Sequence, residues 1–291
     1  MRIVIDNEAG FCFGVSNAIS IAGIVLEEGG TLYSLGELVH NQQEIQRLHD
    51  KGMKVIDSEQ FELLHDCKVL IRAHGEPLQT YLSAEKNDIQ LIDATCPIVR
   101  HLQRKIRNKY EQVREERGQI VIFGKTNHPE VIGLIGQVNG EAIVVLTPED
   151  IQMIDPDRNV YLYAQTTMDP AGYEIITRLI SEHLGADDTK DLSKLYQHNT
   201  ICRQVTQRIE NLKQFARDHE IIVFVSGKNS SNGRFLYSTC KKVNPTTYLI
   251  SNINEIDHTW FKDVSSVGIS GATSTPLSQL VEVSEFLRSH I

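Results

Sequence analysis

What most limits the fold of this chain is its rhythm: short β-branched or apolar runs alternate with helix-length amphipathic stretches along its whole length. Strands are predicted over Arg2–Ile5, Thr31–Ser34, Lys68–Ala73, Ile89–Ile92, Gln119–Phe123, Ala142–Leu146, Val160–Tyr163, Ile221–Val225, Thr246–Ile250 and Ser266–Ser270. Helices are predicted over Gly14–Glu27, Asn41–Lys51, Pro77–Lys86, Pro97–Arg117, Pro129–Val138, Pro170–His183, Cys202–His219, Asn232–Lys242 and Pro276–Ser289. Such alternation builds an α/β architecture with mainly parallel sheets. Pro77, Pro97, Pro129, Pro170 and Pro276 stand at or near helix starts, where the N–H that proline lacks has no helical partner anyway.

The 291 residues are enough for two or three compact units. No repeat is visible in the letters. The order of elements is more regular: each hundred residues or so holds about four strands with their helices and one of Cys12, Cys96 and Cys202. The polar stretch His183–Asn199 reads as a surface connection, and a further boundary falls near Pro97. A net charge of −9 argues against a nucleic-acid coat and leaves room only for a local basic pocket. The N-terminus MRIVIDNEAG reads as a strand without signal or transit character. No apolar run approaches the ~18 residues a membrane span needs. The expected compartment is the reducing cytosol, where the five cysteines are thiols or metal ligands.

Cys12, Cys96 and Cys202 each lie in a strand-to-helix loop: GFCFG, DATCP and NTIC. The partial positive charge of a helix N-terminus favours the thiolate that binds metal. Three such ligands around one centre leave a position open for a substrate. No CxxC pair is present, which argues against a zinc ribbon or a thioredoxin-type site. Cys67 and Cys240 lie outside such loops and read as small buried hydrophobes.

Of the eleven histidines, His40, His74 and His128 stand out, each in a turn-rich loop after an apolar segment. Ligands of α/β sheets bind at the carboxyl ends of strands. The three are read as occupying equivalent loops, and either zinc ligation or donation to an anion suits them. Glu130 opens a helix two residues after His128; it complements the helix dipole or, if buried, supplies a proton. Gln165-Thr166-Thr167 offers hydroxyls at a sheet edge. Ser226-Gly-Lys-Asn-Ser-Ser-Asn-Gly233 and Gly271-Ala-Thr-Ser-Thr-Pro276 each follow a strand and open a helix. Short hydroxyls and free N–H groups in that setting form phosphate-binding nests, and two of them suit an anion with more than one phosphate. Neither is a Walker A motif, and no Gly-x-Gly-x-x-Gly nicotinamide fingerprint is present.

Together GFCFGV, HN, RAHGEP, DATCP, GKTNHPEV, QTT, TIC, GKNSSN and TSTP, in this order from about residue 3 to residue 281, resemble the 4-hydroxy-3-methylbut-2-enyl diphosphate reductase family of the non-mevalonate isoprenoid pathway. The resemblance implies three pseudo-equivalent α/β units in a cloverleaf around a central iron–sulfur cluster. Their expected bounds are 14–97, 98–198, and 199–281 with 1–13, leaving 282–291 as the end of the C-terminal helix. It implies that Cys12, Cys96 and Cys202 hold a [4Fe-4S] cluster with one open iron. His40, His74, His128, Thr166, Ser230, Ser231, Asn232 and Ser274 would bind the substrate, Thr167 would support Thr166, and Glu130 would be the catalytic acid.

The implied reaction is reductive removal of an allylic hydroxyl. The open iron polarises the C–O bond, Glu130 supplies the proton that lets water leave, and isopentenyl or dimethylallyl diphosphate results. The expected electron donor is ferredoxin or flavodoxin. The expected location is cytoplasmic, with no nucleic acid or membrane partner. Two positions depart from the family pattern: Asn17 stands where a basic residue is common, and Ala-Thr-Ser-Thr-Pro replaces Gly-Ala-Ser-x-Pro.

Three other readings fit the bare residues. A hydratase or dehydratase would need no electron donor. An iron–sulfur carrier or sensor would have no use for Glu130 or the Ser-Ser-Asn loop. A zinc hydrolase would contain zinc and neither iron nor sulfide.

Overall fold

The sequence rhythm becomes twelve strands and ten helices among the described residues of the computed structural model, which describes residues 1–39, 41–185, 194–228 and 230–290, without the side chain of Ser231. The first part runs β1 (Arg2–Ile5), α1 (Phe13–Glu27), β2 (Leu32–Leu35), α2 (Gln42–Asp50), β3 (Met53–Ile56), α3 (Ser58–Glu62), β4 (Lys68–Ile71), α4 (Leu78–Lys86) and β5 (Gln90–Asp93). There follow α5 (Pro97–Glu115), β6 (Gln119–Phe123), α6 (Pro129–Ile135), β7 (Ala142–Val145), β8 (Val160–Ala164), α7 (Pro170–His183) and β9 (Leu195–Gln197). The chain ends in α8 (Arg203–Arg217), β10 (Ile221–Val225), α9 (Ser231–Val243), β11 (Thr247–Ile250), β12 (Ser266–Gly271) and α10 (Leu277–His290). Among the described residues no helix is long and apolar enough to cross a membrane.

Pro97, Pro129 and Pro170 occupy the first turns of α5, α6 and α7, as expected, while Pro77 is the cap residue just before α4. Three elements differ from the sequence reading. β3 and α3 were not expected, and β9 lies inside the stretch read as a surface connection. The middle of that stretch, 186–193, and His40 lie outside the described residues.

The strands form three four-stranded sheets. The first has the order β1-β12-β10-β11 and the third β7-β6-β8-β9; the second includes β4 and β5. Every described pairing is parallel: Ile3 faces Val267, Val69 faces Leu91, and Ile122 faces Tyr163. The first and third sheets have the same plan. Three consecutive strands supply the inner pair and one edge, and a fourth strand adds the other edge beside the third. In the first sheet that added strand is β1, from the opposite end of the chain.

The chain divides into two compact units, Met1–Val55 with Gln207–Ile291, and Ile56–Thr206. In the second unit, β6 and β8 bury both faces, as strands of parallel sheets do. Ile120, Ile122, Tyr161 and Tyr163 pack with Leu102, Ile106 and Val113 of α5 and Leu134 of α6. Val121, Phe123, Leu162 and Ala164 point the other way, onto Tyr173, Ile176 and Ile180 of α7. In the first unit, Val223, Val225, Val267 and Ile269 pack with Leu280, Val283 and Leu287 of α10. That unit also contains a buried ion pair: Arg208 donates to Asp6 at 2.6 Å and to the Ser270 hydroxyl at 2.6 Å, and Ser270 donates to Asp6 at 2.9 Å. It fixes the start of the loop that carries Cys12. Removing one partner of such a pair costs about 3–5 kcal/mol.

Candidate active site

Each of the three cysteines is held by the same pair of backbone bonds. As the residue before a helix, each accepts on its carbonyl from the N–H four residues on: Ser16 to Cys12 at 2.9 Å, Arg100 to Cys96 at 2.9 Å and Thr206 to Cys202 at 3.2 Å. Each cysteine N–H in turn donates to a carbonyl of the loop after the adjacent strand: Cys12 to Thr273 at 3.3 Å, Cys96 to Ala73 at 3.0 Å and Cys202 to Thr166 at 2.8 Å. Thr273, Ala73 and Thr166 are each the second residue past the ends of β12, β4 and β8. The repeat absent from the letters is thus present in the hydrogen bonding.

The Cys12 and Cys96 side chains make no capping bond to their helices, whereas Asn41, Asp57, Asp169 and Ser230 cap theirs. All three cysteines are partly exposed. Partly exposed sulfur donors at helix starts, with their backbone groups engaged and Cys12 and Cys96 not spent on caps, suit iron–sulfur ligation. Among the described residues, no three His, Cys, Asp or Glu side chains converge where a single ion could sit. A polynuclear cluster, whose ligands bind different atoms, does not require that convergence. Burial raises the thiol pKa of Cys67 and of the fully buried Cys240, which keeps both protonated.

Glu130 is 1% exposed, in the first turn of α6. Its two carboxylate oxygens accept the N–H and the hydroxyl of Thr166, both at 2.7 Å. Burial pushes its pKa up to about 7, against the opposing pull of those two bonds. A carboxyl so placed is poised to exchange its proton near neutrality and has a stabilised carboxylate once the proton leaves.

His128 precedes α6 and accepts the Glu130 N–H on Nδ1 at 3.2 Å. A backbone N–H can only donate, so Nδ1 is unprotonated and the ring's proton sits on Nε2. The His74 ring meets the His128 ring edge-on, with centroids 5.3 Å apart. The loop of His74 is held by Gln103 and Gln137, which donate to the Glu76 carbonyl at 3.4 and 3.3 Å. Gly75 has φ +72°, and a Cβ there would stand 2.5 Å from the Gln103 amide nitrogen. The expectation of equivalent loops fails for this pair: His74 lies in the loop after β4, which accepts the Cys96 N–H as the loop after β8 accepts that of Cys202, whereas His128 follows β6, which among the described residues has no such cysteine bond. The two meet through packing, not through equivalent positions.

In the other unit, Ser230 caps α9, accepting the Gly233 N–H at 3.0 Å, and its hydroxyl lies 3.2 Å from that of Ser274. Asn232 accepts from the N–H and the hydroxyl of Thr273 at 3.3 and 2.9 Å. The two serine-rich loops therefore form one polar nest, and Thr273 links it to the Cys12 loop. A Cβ on Gly233 would overlap the Ser226 hydroxyl. The Ser231 side chain and His40 lie outside the described residues.

Sequence reasoning did not single out Thr200, Thr273 or Gln103. Thr200 exchanges hydroxyl bonds with the N–H and carbonyl of Ala164 at 2.8 and 2.6 Å and so extends the β8–β9 pairing toward Cys202. Thr273 stands between Asn232 and Cys12, and Gln103 fixes the His74 loop. A threonine two residues before a loop cysteine is the only sequence signal any of them offered.

The chain matches the family model described as LytB protein over residues 3–288. It is 45% identical over 291 residues to the 4-hydroxy-3-methylbut-2-enyl diphosphate reductase of Bacteroides fragilis, covering 100% of this chain and 99% of that protein. It is 48% identical over 277 residues to the protein of the same name from Phocaeicola vulgatus, covering 95% and 94%. A solved structure of (E)-4-hydroxy-3-methyl-but-2-enyl diphosphate reductase, the terminal enzyme of the non-mevalonate pathway, superposes with a TM-score of 0.74 at 34% identity, covering 99% of this chain and 100% of that one. The E-1-hydroxy-2-methyl-but-2-enyl-4-diphosphate reductase from Plasmodium falciparum shares the fold, with a TM-score of 0.85 at 23% identity over 98% of this chain and 87% of that one.

Proposed function

Because the chain belongs to the LytB protein family, we propose that it is an enzyme of the non-mevalonate route that reduces 4-hydroxy-3-methylbut-2-enyl diphosphate to isopentenyl and dimethylallyl diphosphate. The substrate takes up two electrons and two protons and releases its hydroxyl as water. The observation that carries this reading is Glu130, a buried acid with a pKa near 7 held at both oxygens by Thr166.

In this reading Cys12, Cys96 and Cys202 hold a [4Fe-4S] cluster. Such a cluster, when bound, supplies electrons one at a time and a Lewis-acidic iron without a protein ligand. Glu130 gives its proton to the leaving hydroxyl oxygen, directly or through the Thr166 hydroxyl. The carboxylate left behind is stabilised where it stands, because both Thr166 donors already point at it. Ser230, Ser231, Asn232 and Ser274 bind the diphosphate, and His40, His74 and the Nε2–H of His128 add donors to it. Binding energy gained at the diphosphate positions the distant allylic carbon. Ferredoxin or flavodoxin supplies the electrons in a reducing cytoplasm.

The test is anaerobic turnover of the diphosphate substrate by the iron-loaded protein with dithionite and methyl viologen. Isopentenyl and dimethylallyl diphosphate are the expected products, and turnover without any reductant would favour a hydratase instead. In the same preparations Cys12→Ser, Cys96→Ser and Cys202→Ser lose bound iron and sulfide, while Cys67→Ser keeps both. Equal iron in all four variants would overturn the ligand assignment.

A further inference from the structure

The helix that starts at Cys96 carries its charge the wrong way round. Helix N-termini favour acidic side chains and C-termini basic ones, at typically 0.3–1 kcal/mol each. α5 has no acidic residue in its first turn. Its first thirteen residues carry Arg100, Arg104, Lys105, Arg107 and Lys109, and its acids, Glu111 and Glu115, come only in the last turns, alongside Arg114. This arrangement gives up helix stability, and it sits on a chain with a net charge of −9.

Three of these cations are engaged. Arg100 pairs with Asp93 at 3.0 Å. Lys105 and Lys109 lie over the rings of Tyr163 and Tyr161, at 5.9 and 4.6 Å from their centroids. Arg104 and Arg107 are exposed, and among the described residues neither has an ion-pair partner. Both line a cavity of about 230 Å³ together with Arg100, Tyr81, Asp93 and Gln137. Arg100 is one turn past Cys96 and Arg107 three turns past it.

We propose that this face of α5 is the docking surface for an acidic one-electron carrier protein, one of whose carboxylates enters the cavity between Arg104 and Arg107. The proposal rests on the reductase reading above, which needs an electron donor, and it identifies where the donor binds. Each docked carrier is oxidised by one electron, and two such encounters supply the pair that the allylic alcohol consumes. Free guanidiniums suit the task, because they take carboxylates in bidentate fashion. An exposed basic face on an acidic protein also steers an acidic partner to one place.

The test compares the wild-type holoenzyme with Arg104→Glu/Arg107→Glu, and with Arg114→Glu/Arg178→Glu as a control of equal charge change. With a reduced plant-type ferredoxin or a flavodoxin as donor, the cavity variant's KM for donor rises about tenfold or more, and the control's does not. With dithionite and methyl viologen the cavity variant turns over within about twofold of wild type. Raising salt from about 50 to about 300 mM weakens donor use by the wild type and not by the cavity variant. An unchanged donor KM, or a parallel loss with both kinds of donor, overturns the proposal. Calorimetric binding of the oxidised carriers provides a readout independent of turnover. Binding by wild type that the cavity variant loses supports the surface even if the substrate assignment is wrong, and no wild-type binding of either carrier overturns it. Failure of the wild type to turn over substrate with viologen would count against the reductase reading alone.

Discussion

The N–H of Cys202 donates to the carbonyl of Thr166 at 2.8 Å, while the N–H and hydroxyl of the same threonine hold Glu130 at 2.7 Å. Thr166, two residues past the end of β8, therefore fixes both a thiol-bearing loop and a buried acid. The loop that carries Cys202 cannot shift without pulling on the residue that holds the Glu130 carboxyl. Thr273 has the matching place in the other unit, between Asn232 and Cys12.

Glu130 sets the first prediction. In the proposed reaction Glu130 acts in its protonated form, so kcat is expected to fall as pH rises through about 7. Glu130→Gln lowers kcat by about 10²–10⁴-fold, removes this alkaline limb and leaves bound iron unchanged. Stability follows the same titration. The folded-state pKa lies above the ordinary glutamate value of 4.5, so the native state binds the extra proton between those two values. This contribution is fully present below about pH 4.5 and is lost as pH rises through about 7, an effect of about 3 kcal/mol. Denaturant unfolding at pH 5 and pH 8 measures it, and Glu130→Gln should flatten the difference. A difference of the same size in the variant would assign it to other groups.

Thr166→Val separates the threonine's two tasks. The variant keeps the N–H to Glu130 and the carbonyl to Cys202 but loses the hydroxyl. The lost bond favoured the carboxylate, so the Glu130 pKa rises further above about 7, and the alkaline limb moves to higher pH. A lost bond to a buried carboxylate is worth about 1–3 kcal/mol. Iron content stays at the wild-type level, because the Cys202 loop is untouched. A limb that moves to lower pH, or stays put, would mean that the hydroxyl does not stabilise the carboxylate.

The sequence made legible what depends on neighbours along the chain. Pro97 after Cys96 announced a helix start, and the apolar runs of β6, β8 and β10 announced buried strands. β3 and β9 escaped because they are short and carry exposed residues, as in Lys54, Val55, Tyr196 and Gln197. α3 had a visible signature, the capping box of Asp57 and Gln60, whose five-residue helix was too short to show periodicity. The meeting of His74 with His128 was not legible, because it depends on Gln103 reaching the Glu76 carbonyl from a helix 27 residues away. The same holds for Thr166: a Thr-Thr pair shows two hydroxyls, and only the fold shows that Glu130 lies against one of them.

Gly233 supplies the last prediction, because it shows how closely the polar nest of Ser230 and Ser274, proposed to take the diphosphate, is packed. Gly233 donates its N–H to Ser230 at 3.0 Å, and a side chain there would overlap the Ser226 hydroxyl and stand 2.9 Å from Ser226 Cβ and 3.1 Å from Ser230 Cβ. Both serines are buried, so neither can swing into solvent, and relief must come from moving the loop that presents Ser230 toward Ser274. Overpacking of this kind costs about 1–3 kcal/mol. Gly233→Ala should therefore raise KM for the diphosphate substrate about tenfold, with kcat at saturation little changed, since Glu130 and Thr166 keep their contacts. Inorganic diphosphate, tested as a competitive inhibitor, should weaken in the same proportion. If KM rises while inhibition by diphosphate stays at its wild-type strength, the nest holds some other part of the substrate.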